Sequence, residues 1–168
     1  EKRMIYYDTW ANGYHFVVFD NNRKDLSPDR LQWLKDKVLE GPDGTPNGAD
    51  KTKPVFIVNH YDWSTWKTRN SKTIQSLQPF FTDNPQAVMI TGHSHLIPGN
   101  NHNVLSKELG LLTVHDGVVY DNQIPDDVNY YENDHYVAKD ISTGIYFEVF
   151  SDHFVVHEVA FNDGGYEL

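Results

Sequence analysis

The sequence predicts a mixed α/β domain, a β-sandwich of mixed sheets flanked by helices. Three observations carry that expectation. Up to Gly99, short apolar runs alternate with stretches of helical spacing. Beyond Gly99 the helical spacing stops and short strand-like runs continue. No linker rich in Gly, Pro or Ser is long enough to divide the 168 residues, so 1–168 reads as a single domain of ordinary size.

The first element is "YHFVVFDNN" (14–22), a buried strand closing on turn residues. "SPDRLQWLKDKVLEG" (27–41) follows as a helix. Ser27 suits the N-cap, Pro28 the first helical position and Asp29 the positive end of the helix dipole. Leu31, Leu34, Val38 and Leu39 share one face, and Gly41 reads as the stop. Residues 41–53, with three Gly and two Pro, read as an exposed loop. "KPVFIVNHYDW" (53–63) is a second buried strand ending at Asn59–His60. "NSKTIQSLQPFF" (70–81) reads as helical through Leu77, with Pro79 limiting it. "QAVMITG" (86–92) is the third strand. Strand, helix, strand, helix, strand is the order that builds a parallel sheet through crossovers.

After Gly99, "NVLSK", "LLTVHDG", "GIYFEVF" and "FVVHEVAF" read as strands, the last two joined as a hairpin around 151–153. The expectation is a mixed sheet continued or covered by a second, antiparallel one.

Charge and composition narrow the function. The formal net charge is −10, which disfavours broad contact with a nucleic-acid backbone. A site holding cations can still attract an anionic substrate, because the ions dominate the field near them. There are no cysteines, so thiolate chemistry, disulfides and Cys-based metal sites are excluded. Histidines and carboxylates remain as the strong ligands, and they suit Zn, Mn, Fe or Ni. No run approaches the ~20 apolar residues of a membrane span. Nothing in the sequence separates an extracellular or cell-envelope location from a cytoplasmic one.

Chemistry gathers at two strand ends. His60 follows "VFIVN", and His93 and His95 follow "AVMITG". Ligands in open α/β sheets collect outside the carboxyl ends of the strands, so neighbouring strands would bring these imidazoles to one rim. Gly92 permits a backbone turn there that a side chain would hinder. Alone, a His-x-His pair also fits an ordinary surface turn. The second strand-end histidine is what favours a metal site.

"VFIVNHY", followed some thirty residues later by "VMITGHSH", resembles the last two motifs of the calcineurin-like metallophosphoesterases. The upstream order of strand, helix and strand is similar too, and the likeness spans roughly residues 14–100. What it implies is a metallophosphoesterase-like fold, incomplete at its N-terminus, with a site for two divalent ions. His60 and His93 would ligate one ion and His95 the other. The implied activity is hydrolysis of phosphomonoesters or phosphodiesters.

The family's earlier motifs are absent. No Asp is followed two residues later by His, no Gly-Asp pair occurs, and "GNNHN" (99–103) stands after "GHSH" rather than before it. The bridging carboxylate, the Asn ligand and the family's acid–base His are therefore expected in a segment upstream of Glu1 or in a complementary chain. The isolated chain is expected to hydrolyse poorly or not at all, and no catalytic residue is assigned within it. The competing reading is a non-catalytic binding or interaction module on the same scaffold.

Other residues carry less. Tyr61, Asp62 and Trp63 follow His60 and could line a substrate cleft; loop packing explains them equally well. Asn59 could support His60 through a hydrogen bond. Asp20, Asn21 and Asn22 read as turn formers, and His115–Asp116 as a capped strand end, with a ligand role as the alternative. His15, His102, His135, His153 and His157 read as structural or solvated, and Trp10, Trp33 and Trp66 as packing.

Overall fold

The computed structural model describes residues 6–19, 26–61, 71–93, 105–108, 110–117, 142–162 and 165–167. Its elements run β1 (Tyr6–Ala11), β2 (Tyr14–Phe19), α1 (Pro28–Leu39), β3 (Val55–Asn59), α2 (Ser71–Asp83), β4 (Ala87–Thr91), β5 (Leu105–Glu108), β6 (Leu111–His115), β7 (Ser142–Val149), β8 (Phe154–Asn162) and β9 (Gly165–Glu167). One sheet has six strands in the order β1-β2-β3-β4-β6-β5; the other has three, β7-β8-β9. Strands β2, β3, β4 and β6 run parallel to one another, and β1 and β5 close the two edges antiparallel. The mixed α/β class and the covering antiparallel sheet agree with the sequence reading.

The core follows the period of two along each central strand. Val55 and Ile57 of β3, Ala87 and Met89 of β4, and Leu111 of β6 face the helices, where Leu34, Val38, Leu77 and Phe81 are buried against them. The alternate residues Phe56, Val88 and Val114 face the second sheet, meeting Ile145, Phe147, Phe154 and Val156. Each parallel strand is thus apolar on both faces, which is why these runs read as continuous rather than alternating.

Three local outcomes differ from the sequence reading. The first strand has an antiparallel partner, β1, joined to it through Asn12 and Gly13, both at positive φ. That is the geometry of a tight hairpin, and Asn-Gly is its strongest sequence signal. Helix α1 starts as expected, with Ser27 in extended conformation and Pro28 leading, and ends with Glu40 as C-cap and Gly41 directly after it, but Ser27 makes no side-chain cap bond. Helix α2 runs through Pro79 to Asp83 instead of ending near Leu77. Pro79 lies on the exposed side, while Leu77 and Phe81 are fully buried one turn apart on the other. Their burial is worth about 2 kcal/mol each, which offsets much of the ~3 kcal/mol a mid-helix proline costs.

The glycine-rich loop is exposed, as expected, but ordered by its own bonds. Asp43 accepts from the Thr45 amide and hydroxyl, and Asp50 does the same with Thr52. The β7–β8 hairpin turns at 150–153, closed by the Phe150 amide donating to the His153 carbonyl at 2.8 Å. Among the described residues no helix is long and apolar enough to cross a membrane.

Candidate metal centre

Three neighbouring parallel strands end together. The register pairs Asn59 with Thr91 and Thr91 with His115, so His60, Gly92–His93 and Asp116 leave the sheet side by side. Asn59, Thr91 and His115 are buried polar residues at the last strand positions. The Thr91 hydroxyl donates to the His60 carbonyl at 3.2 Å. The Asp116 amide donates to the Thr91 carbonyl at 2.9 Å. The Asn59 side-chain amide donates to the Tyr61 carbonyl at 2.6 Å, folding the chain back just after β3. The other Asn59 atom, Oδ1, is buried without a hydrogen-bond partner among the described residues.

His60 and His93 meet. His93 Nδ1 lies 3.3 Å from His60 Nε2, with ring centroids 5.0 Å apart and planes at 71°. His93 takes a left-handed backbone, φ 68°, which a non-glycine residue adopts at a cost of order 1–3 kcal/mol. That conformation directs its imidazole toward the neighbouring strand. The buried Tyr61 ring packs against His93 at 4.3 Å between centroids and forms one wall of the site. Of the residues expected here, His60, His93 and Tyr61 come together; His95, Asp62 and Trp63 lie outside the described residues.

Asp116 adds a carboxylate to the same rim. A Cβ built on Gly92 would sit 3.2 Å from Asp116 Oδ1, so that carboxylate lies close over the glycine. The residue keeps solvent contact, yet its carboxyl is enclosed enough that burial pushes its pKa up. Its own backbone amide and the charge of His60 oppose that rise without cancelling it.

A second group of potential ligands lies elsewhere, and sequence reading missed it. Asp8 on β1, the buried His15 on β2 and Glu40 after α1 offer ligand atoms within 4.8 Å of one another, a spacing that could hold a metal ion. Among the described residues it is the one such group of three. His15 Nε2 and Asp8 Oδ2 are 3.0 Å apart. The Lys37 ammonium already sits among them, 3.2 Å from Asp8 Oδ1 and 2.8 Å from Glu40 Oε2. Burial works to raise the Asp8 carboxyl, but hydrogen bonds and charge from His15 and Lys37 hold it below the usual range. The Glu40 hydrogen bond leads the effects that raise Lys37. A metal ion would have to displace this ammonium. The sequence signal was the Asn12–Gly13 turn, which puts Asp8 and His15 diagonally across one face of a hairpin.

No protein-family model matches the chain, and no match is found among curated proteins.

Proposed function

We propose that this chain supplies the C-terminal half of a two-metal phosphoester hydrolase site, with the phosphoester and its missing ligand segment as partners. The observation that carries the reading is the 3.3 Å separation of His60 Nε2 and His93 Nδ1 at adjacent strand ends. Two imidazole nitrogens bound tetrahedrally to one ion at about 2.0–2.1 Å stand roughly 3.3–3.4 Å apart. The donor set therefore fits a shared ion of the Zn, Mn, Fe or Ni group, with His95 as the ligand expected for a second. Divalent ions bound there would polarise a phosphoryl group and lower the pKa of a water molecule. The chain's own residues hold and shape the site. The Asn59–Tyr61 and Thr91–His60 bonds fix the turn carrying His60, Tyr61 shields one side, and Asp116 contributes negative charge.

Calorimetry with Zn²⁺ and Mn²⁺, joined to hydrolysis of p-nitrophenyl phosphate and bis(p-nitrophenyl) phosphate, tests the proposal. His60→Ala and His93→Ala should each abolish the same metal equivalent, and His95→Ala a different one. Hydrolysis should be weak for the chain alone and rise when the upstream segment is joined to it. Full turnover by residues 1–168, or metal stoichiometry unchanged in all three variants, would overturn it. A non-catalytic binding module is the second reading. What favours it is that Asp116 does not join His60 and His93 in a three-ligand set at metal spacing.

A further inference from the structure

The molecule has a second concave site at the opposite end of the sheet. A cavity of about 740 Å³ opens where the segments leading into β3 and β4 pass under the β7–β8 turn. Its floor is the exposed end of the core between the two sheets, formed by Val88, Leu112, Phe154 and Val156. Phe150, 47% exposed at the hairpin turn, forms one wall. The volume falls within the range of small-molecule sites, and an apolar body with a few polar groups at the mouth is their usual make-up.

The mouth carries two cations, Lys51 and Lys53, and one acid, Asp152. Lys51 and Lys53 both line it and both are exposed. Neither has a carboxylate within ion-pair distance among the described residues. Asp152 shares a 2.8 Å hydrogen bond with His153 and points its charge there, and Asp50, beside the mouth, accepts both Thr52 bonds, with Lys53 acting on it only at longer range; both acids stay ionised, and the lysines are the cations left for an anionic head group. The His153 ring stacks on Phe150 at 4.6 Å, which holds the hairpin wall in place.

We propose that this cavity binds a small amphipathic carboxylate of the medium-chain fatty acid type. Its apolar tail lies on Val88, Leu112 and Phe154, and its head group lies between Lys51 and Lys53. An uncharged chain of the same length would find the floor but not the cations. A second copy of this chain would be repelled by its own net charge of −10 more than a small monoanion would be.

Titration with octanoate and with octanol, followed by amide chemical shifts and calorimetry, tests this. Octanoate should move amides in 51–53, 86–88, 112 and 150–156 and leave those of His60 and His93 in place. Octanol should bind about tenfold more weakly, because it lacks the charge that the two exposed lysines meet. The double variant Lys51→Glu, Lys53→Glu changes only exposed side chains and should retain the fold. It should weaken octanoate at least tenfold and leave octanol unchanged. Equal affinity for the two ligands, shifts elsewhere, or indifference to the double variant overturns the proposal. So does self-association of the ligand-free chain through these residues in light scattering, which would assign the cavity to a second copy.

Discussion

Replacing Phe56 with alanine should separate the two sheets energetically. Phe56 is 2% exposed at the centre of the inter-sheet core. Its ring meets Phe16 at 5.1 Å, Phe147 at 5.4 Å, Phe154 at 6.3 Å and Tyr14 at 6.4 Å between centroids. Two of those partners belong to the β7–β8 hairpin, so one side chain links both layers. Truncating a buried Phe costs about 3–5 kcal/mol. Four lost ring contacts, each carrying energy beyond its area, place this case near the upper part, at about 4 kcal/mol. For a chain of this length that corresponds to a fall in Tm of roughly 8–16 °C. Urea unfolding followed by circular dichroism measures the first figure and a thermal scan the second. Native-state hydrogen exchange should show hairpin amides losing protection before those of β3 and β4. A cost below about 2 kcal/mol, or uniform loss of protection, would mean that the second sheet does not dock through this ring and that the cavity at its edge is misassigned.

The remaining predictions concern the two polar clusters. The Asp8 carboxyl lies below its ordinary value of 3.8 in the folded chain, so it contributes stability above that value and loses it as pH falls through the folded one. Lys37 is raised above 10.5, so its contribution holds below that value and fades as pH climbs past it. Urea titrations should therefore show an acid-side loss that is smaller in Asp8→Asn; identical slopes in the two proteins would refute the pairing. Asn59→Ala removes the 2.6 Å bond to the Tyr61 carbonyl but also an orphaned buried acceptor, so its net cost should be only about 1 kcal/mol. Its effect on zinc affinity should be larger, about 10–100-fold, because the turn carrying His60 loses its brace. Unchanged affinity would show that the bond does not orient His60 for an ion.

Much of this fold was legible because its signals are local and periodic. The runs at 55–59 and 87–91 are apolar on both faces, and such strands separated by helical spacing have few arrangements other than a parallel sheet. Elements decided by packing were less visible. Pro79 argues for a helix end, and only the burial of Leu77 and Phe81 on either side of it explains why α2 continues. The His60–His93 pair could be placed because strand ends are predictable addresses. Asp116 read as a turn residue because nothing local reveals that its carboxylate lies close over Gly92. The Asp8, His15 and Glu40 group needs a hairpin and the end of a helix to meet, an arrangement that no single stretch of sequence contains.

The two clusters divide between them what a metal site requires. The Asp8 group has carboxylates, but the Lys37 ammonium already balances part of their charge from inside the cluster, so an incoming dication must displace a partner held by short bonds. The His60–His93 rim has well-spaced imidazole nitrogens, and among the described residues Asp116 is the carboxylate that acts with it. A dication held by two imidazoles keeps its whole charge, and a second ion nearby would face repulsion that only bridging anions relieve. Joining the rim to carboxylates from elsewhere should therefore raise affinity for the second ion more than for the first. That ordering follows from electrostatics alone, and two equally tight ions on residues 1–168 would contradict it.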